Sequence, residues 1–135
     1  MKKQRQDALD LLGLKPGQVY VDLGSGDGGL LVQAAQRDLR VIGYEINPFL
    51  WFYSWLRTRG YGRQVRVKFQ SFWRADLSAA DGVFVFLITH RMPRLDNLLK
   101  SSNAKRPLKV VSHAFKIPGQ KALKKSGALF LYIYR

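Results

Sequence analysis

Two carboxylates and a run of glycines are the residues best placed to do chemistry in this sequence. Asp22 stands near the end of a short β-branched and apolar run, Val19 to Leu23, and Gly24, Gly26, Gly28 and Gly29 follow it. Leu30 to Ala35 then reads as a helix. Strand, glycine turn and helix together bring backbone N–H groups and a helix N-terminus up to a nucleotide-like ligand, an approach that side chains at the glycines would block. A carboxylate at Asp22 attracts an ammonium group and repels a pyrophosphate. Glu45, the sole glutamate, ends the next strand-like run, Arg40 to Glu45. It falls about twenty residues past the turn, where an acid commonly accepts ribose hydroxyls.

The spacing satisfies two fingerprints. Gly24-x-Gly26-x-x-Gly29 fits that of dinucleotide-binding folds, and Asp22-x-Gly24-x-Gly26-x-Gly28 fits that of S-adenosylmethionine-dependent methyltransferases. Asp22 favours the second, whose cofactor carries an ammonium group on its methionine part. The bland readings are a strand–helix turn with no ligand and, for Glu45, a cap on the helix that begins near Pro48. Asp22, Gly24, Ser25, Gly26, Gly28, Glu45 and Ile46 form the expected cofactor-binding set on these first two strands.

Val21-Asp-Leu-Gly-Ser-Gly-Asp-Gly28, then Gly43-Tyr-Glu-Ile-Asn-Pro48, then Trp51 and Tyr53-Ser54, resemble the small protein-lysine methyltransferases. That family includes the enzymes that methylate the c-ring protein of ATP synthase and the adenine nucleotide translocase, together with archaeal relatives. The resemblance runs from about Leu14 to Phe115. It implies a minimal class I methyltransferase fold and S-adenosyl-L-methionine as cofactor, with lysine side chains of proteins as acceptors. It also implies a Pro-Thr-Pro-like segment ahead of Leu14 that shapes the substrate end of the pocket. This sequence does not contain one, so an incomplete substrate channel is expected.

The remaining elements must hold that turn. Gln4 to Leu12 predicts an amphipathic helix closed by Gly13, and Gly28 to Arg37 a second helix. Pro48 opens a third, in which Phe49 to Leu56 is apolar nearly all round, so the helix is expected either to be largely buried, with its aromatics packed in the core, or to face a partner as a peptide- or base-stacking surface. Arg66 to Gln70 reads as an edge strand with Arg66 and Lys68 outward. Ser71, Phe72 and Trp73 follow it, where class I methyltransferases hold the adenine. The family's usual acid is replaced there by Ser71, an uncharged acceptor, and Phe72 and Trp73 would touch the ring. Val83 to Ile88 reads as a central strand, with Thr89 and His90 after it as the candidate catalytic pair beside the transferred methyl. An Asn/Asp-Pro-Pro-aromatic motif, common in enzymes that methylate base amines, is absent from that position. Met92 to Lys100 predicts a fourth helix, Leu108 to Phe115 the fifth strand, Lys121 to Lys125 a basic turn, and Ala128 to Tyr134 a last strand. The expected fold is α/β: a Rossmann-like, doubly wound, mostly parallel sheet of six strands plus a possible fragment, ending in an antiparallel strand, with residues 1–135 as one domain.

Composition narrows the partners. The 135 residues contain no cysteine, which excludes disulfides and thiolate metal sites and makes a reducing cytosol the expected compartment. No apolar run reaches the length of a membrane span. Net charge is +14, and most of the excess lies after residue 81, which favours an acidic partner. Three functions follow. Lysine methylation on proteins, with target lysines near acidic residues, is favoured by the resemblance. Methylation of RNA or a ribonucleoprotein is favoured by charge alone. Cofactor binding with little turnover is favoured by Ser71 and the missing segment.

Overall fold

The strand–turn–helix unit forms where the glycine spacing predicts it, as β1 (Val19–Leu23) followed by α2 (Gly29–Gln36), behind an N-terminal helix α1 (Lys2–Leu12). This is seen in a computed structural model that describes residues 2–86 and 89–135. The chain continues through β2 (Arg40–Glu45), α3 (Pro48–Thr58), β3 (Val65–Phe69) and β4 (Gly82–Phe86). It finishes with α4 (Met92–Ser101), β5 (Leu108–His113), β6 (Lys124–Ser126) and β7 (Leu129–Tyr134). Short 3-10 turns lie at Arg59–Gln64, Phe72–Arg74 and Thr89–Arg91.

All seven strands join one sheet in the order β3-β2-β1-β4-β5-β7-β6. The first five pair in parallel, while β7 runs antiparallel to both β5 and β6. Parallel strands need cover on both faces, because their connecting helices lie there. Val21, Val83, Val110 and Tyr132 accordingly pack with Met92, Leu95 and Leu99 of α4 on one face. Tyr20, Val41, Val111 and Leu131 pack with Leu9 and Leu12 of α1 and Leu31 and Ala34 of α2 on the other. The order reverses between β1 and β4, so a crevice opens at the C-terminal ends of the central strands, the usual ligand position in open α/β sheets.

Two expectations are corrected, and a third falls partly outside the described residues. The basic turn at Lys121 to Lys125 includes the start of a seventh strand, β6, whose three residues were too few to show alternation. The fifth strand stops at His113 because Ala114 takes a left-handed φ of 76° and Ser112 Oγ donates to the Phe115 carbonyl at 2.7 Å. The central strand is described only to Phe86, and the expected Leu87 and Ile88 lie outside the described residues.

The third helix departs most from expectation. Its apolar residues at i, i+3, i+4 and i+7 (Phe49, Phe52, Tyr53 and Leu56) face solvent, and the buried positions are Ser54 and Thr58. Packing of the aromatics in the core is therefore overturned. Two small residues one turn apart let the helix backbone approach the glycine turn. A Cβ on Gly28 would lie 3.0 Å from Ser54 Cα, and Gly28 also needs its φ of 81°, so both space and conformation select glycine there. Asn47 Oδ1 starts the helix by accepting from the N–H groups of Phe49 (2.9 Å) and Leu50 (3.2 Å). Trp51 Nε1 donates to the Val67 carbonyl at 2.9 Å, fixing the helix to β3.

Candidate active site

The glycine turn is braced from below by acids. Glu45 Oε1 accepts from the Gly26 N–H at 2.8 Å, and Oε2 accepts from the Asn47 N–H at 3.0 Å. One carboxylate thus ties the end of β2 to the turn and to the start of α3. Each oxygen keeps a lone pair for a ligand hydroxyl. Ser54 Oγ donates to the Gly26 carbonyl at 2.7 Å. Asp27 accepts from the Gly29 N–H at 2.9 Å and pairs with Arg5 (3.2 Å) and Arg57 (3.5 Å). Burial pushes the Asp27 carboxyl up, but the Gly29 N–H and the two guanidinium groups outweigh it and leave it below the usual range.

Asp22 is different. It is buried, and its Oδ1 has no hydrogen-bond partner among the described residues; the buried hydroxyl of Tyr20 is also unpartnered. Burial pushes the Asp22 carboxyl well above the usual carboxylate range and the charge of Glu45 adds to the shift, outweighing the neighbouring Tyr20 hydroxyl and Arg5 guanidinium, which pull the other way. Such an atom costs free energy unless something arrives to satisfy it.

Asp22 faces a cavity of about 420 Å³, lined also by Gly24, Ser25, Gly26, Arg5, Phe86 and His113. That volume suits a small-molecule site. The walls carry a carboxylate at Asp22 and a guanidinium at Arg5, a pair that fits a zwitterionic amino acid. Phe86 and His113 are register partners at the ends of β4 and β5, with ring centroids 4.9 Å apart.

Of the residues expected at the site, Asp22, Gly24, Ser25 and Gly26 line the cavity together, and Glu45 and Gly28 adjoin them through Gly26 and Ser54. Ile46 is 67% exposed beside Glu45. Ser71 caps the turn after β3, accepting from the Trp73 N–H at 3.3 Å, so part of its acceptor capacity serves the backbone. Phe72 and Trp73 pack partly into the core, and Trp73 carries the Arg94 guanidinium 4.2 Å above its ring. Ile46, Ser71, Phe72 and Trp73 lie outside the cavity lining. His90 is exposed in the Thr89–Arg91 turn and does not line it either. The side chain of Thr89 is not among those described. The imidazole that does reach the cavity is His113. Its position at the C-terminal end of a parallel strand was the available signal, but a strand extended to Phe115 hid it. Arg5 carried no sequence signal, because only the packing of α1 brings it across to Asp27. Among the described residues no group of three His, Cys, Asp or Glu could hold a metal ion.

Sheet order, glycine turn and acid pair together define a class I methyltransferase fold. A solved RNA methyltransferase from Salinibacter ruber, in complex with S-adenosyl-L-homocysteine, superposes with a TM-score of 0.90 at 24% identity, over 98% of this chain and 91% of that one. Residues 22–124 match the model of the ANTKMT methyltransferase domain, and the chain belongs to that family. The lysine N-methyltransferase of the ATP synthase C subunit from Xenopus laevis is 32% identical over 100 residues, covering 73% of this chain and 44% of the relative. The adenine nucleotide translocase lysine N-methyltransferase of Mus musculus is 35% identical over 121 residues, covering 86% and 51%. The chain thus spans about half the length of these curated relatives.

Proposed function

We propose that this chain is an S-adenosylmethionine-dependent methyltransferase whose acceptors are lysine side chains of proteins. The observation that carries the proposal is the buried, unpartnered Oδ1 of Asp22 beside the glycine turn, in a chain of this family. Asp22 would take the ammonium group of the cofactor's methionine part, Arg5 its carboxylate, and Glu45 the ribose hydroxyls. When bound, S-adenosylmethionine would supply a methyl on a positively charged sulfur, to be taken in line by the lone pair of a neutral amine, with the sulfur leaving as the neutral thioether of S-adenosylhomocysteine. The protein's share is positioning and exclusion of water. Phe86 and His113 would form the wall nearest the acceptor. The Phe86 ring would disfavour the ammonium form of an entering lysine and so help it lose its proton to water.

Target choice follows from charge. A lysine approaching a protein of net charge +14 is repelled unless acids beside it compensate. Acceptor lysines with Asp or Glu neighbours are therefore expected. The same charge is what favours RNA as a second reading. Purified protein and radiolabelled S-adenosylmethionine, added to a lysate lacking its own copy, separate the two. Label on proteins that survives nuclease supports lysine methylation, whereas label that co-migrates with RNA and disappears with nuclease overturns it.

A further inference from the structure

The outward stripe on α3 is the least expected surface of the molecule. Phe49 is 84% exposed, Phe52 and Tyr53 51% each, and Leu56 38%. Ile46, two residues ahead of the helix, and Phe69, at the end of β3, are exposed as well. Singly exposed apolar residues are ordinary, but a contiguous apolar face marks an interaction surface. The side chains are also organised: Phe52 stacks on Trp55 with centroids 6.0 Å apart, and Trp51 packs against Phe69 at 5.8 Å.

Charge identifies what this face meets. Between Glu45 and Asp76 the sequence has no acid and six cations: Arg57, Arg59, Arg63, Arg66, Lys68 and Arg74. Arg57 is half-drawn toward Asp27, whereas Arg59, Arg63 and Arg66 are exposed with no acidic partner among the described residues. A second copy of the chain would bring the same cations against one another. Single-stranded nucleic acid would use the aromatics as stacking platforms, but Ile46, Leu50 and Leu56 offer it nothing. An anionic lipid surface uses every part: aliphatic and aromatic side chains enter the acyl boundary, and flanking arginines meet the headgroups.

We infer that α3, with Ile46 and Phe69, docks the protein on anionic membranes, the helix lying in the plane of the lipid headgroups. The inference stands apart from methyl transfer, since it concerns a face outside the cavity. No helix among the described residues is long and apolar enough to cross a membrane, and docking through α3 itself would be peripheral.

Co-sedimentation with vesicles of equimolar phosphatidylcholine and phosphatidylglycerol tests it, with pure phosphatidylcholine vesicles in parallel. Binding to the mixed vesicles, weaker at high salt and much weaker without phosphatidylglycerol, is expected, with a blue shift of tryptophan emission. The double variant Phe49→Ser/Phe52→Ser should lose about tenfold or more in partitioning, at unchanged Tm because both rings are exposed. Arg59→Ser/Arg63→Ser should lose up to about fivefold per arginine on the mixed vesicles only. Cofactor binding, measured by calorimetry, should be the same in all three proteins, so failure here is distinguishable from failure of the methyltransferase reading. The inference is overturned if the wild type does not sediment with anionic vesicles, or if the phenylalanine variant binds them equally. A dimer that the same variant dissociates, or RNA retention that depends on these rings in the absence of vesicle binding, also overturns it.

Discussion

The Ser54 hydroxyl donates to the Gly26 carbonyl at 2.7 Å across 28 residues of chain. That bond, with the contact between Ser54 and Gly28, makes α3 a support of the glycine turn. Ser54→Ala leaves a carbonyl of the turn without its partner and should cost about 1–3 kcal/mol. Gly28→Ala meets Ser54 Cα and forces a left-handed residue, again about 1–3 kcal/mol. Thermal melts of both variants check this, and an unchanged Tm in Gly28→Ala would mean that α3 sits further from the turn.

Asp22 sets a pH dependence. Its folded-state pKa is raised above the unfolded value. At a pH below the unfolded value both states hold the proton and its stabilising contribution is complete. As pH rises toward the folded value, only the folded state still holds the proton, and stability is lost. A cofactor ammonium needs the charged carboxylate, so its binding reverses that trend. The thermal shift produced by S-adenosylhomocysteine should therefore grow with pH across this window. In Asp22→Asn the growth should vanish and affinity should drop roughly 10- to 150-fold, the value of a hydrogen bond to a charged group.

Glu45 has two duties, and two variants separate them. Glu45→Ala should weaken cofactor binding by about 1.5–3 kcal/mol and also lower Tm, since the Gly26 and Asn47 N–H groups lose their acceptor. Glu45→Gln keeps one oxygen and should recover part of the stability while still binding weakly. Calorimetry and melts on the same preparations give both numbers. Normal affinity in Glu45→Ala would leave it a purely structural brace.

The two histidines should behave oppositely. His113 lines the cavity and His90 does not. His113→Ala is expected to lower kcat by up to roughly 100-fold through lost positioning of the acceptor with S-adenosylhomocysteine affinity unchanged, and His90→Ala to leave kcat within about threefold. The reverse pattern in a labelling assay would return the acceptor end to the Thr89–Arg91 turn.

Legibility in the sequence followed the strength of local signals. The glycine turn, both acids and the parallel strands were readable because each rests on spacing along a few consecutive residues. The orientation of α3 was not. Phe49 to Leu56 is apolar nearly all round, and such a run does not say which side of the helix meets the core. The deciding contact, Ser54 against Gly28, joins residues far apart in sequence and depends on size rather than hydrophobicity. Strand β6 was legible only as a possible fragment for a related reason: Lys124 and Lys125 are held in the sheet by pairing with β7 rather than by any preference of their own. The cavity role of His113 depended on where β5 stops, and strand ends are set by contacts that propensity does not contain.

The sheet is open, and its two free margins are β3 and β6. Unpaired strand margins are templates on which other chains can add strands and begin to aggregate. Here each margin carries its own cations, Arg66 and Lys68 on one side and Lys124 and Lys125 on the other. Two molecules meeting margin to margin bring lysines and arginines together at strand spacing, where repulsion opposes the first hydrogen bond. The basic excess thus opposes fibrous self-assembly, and that opposition should fade as salt screens it.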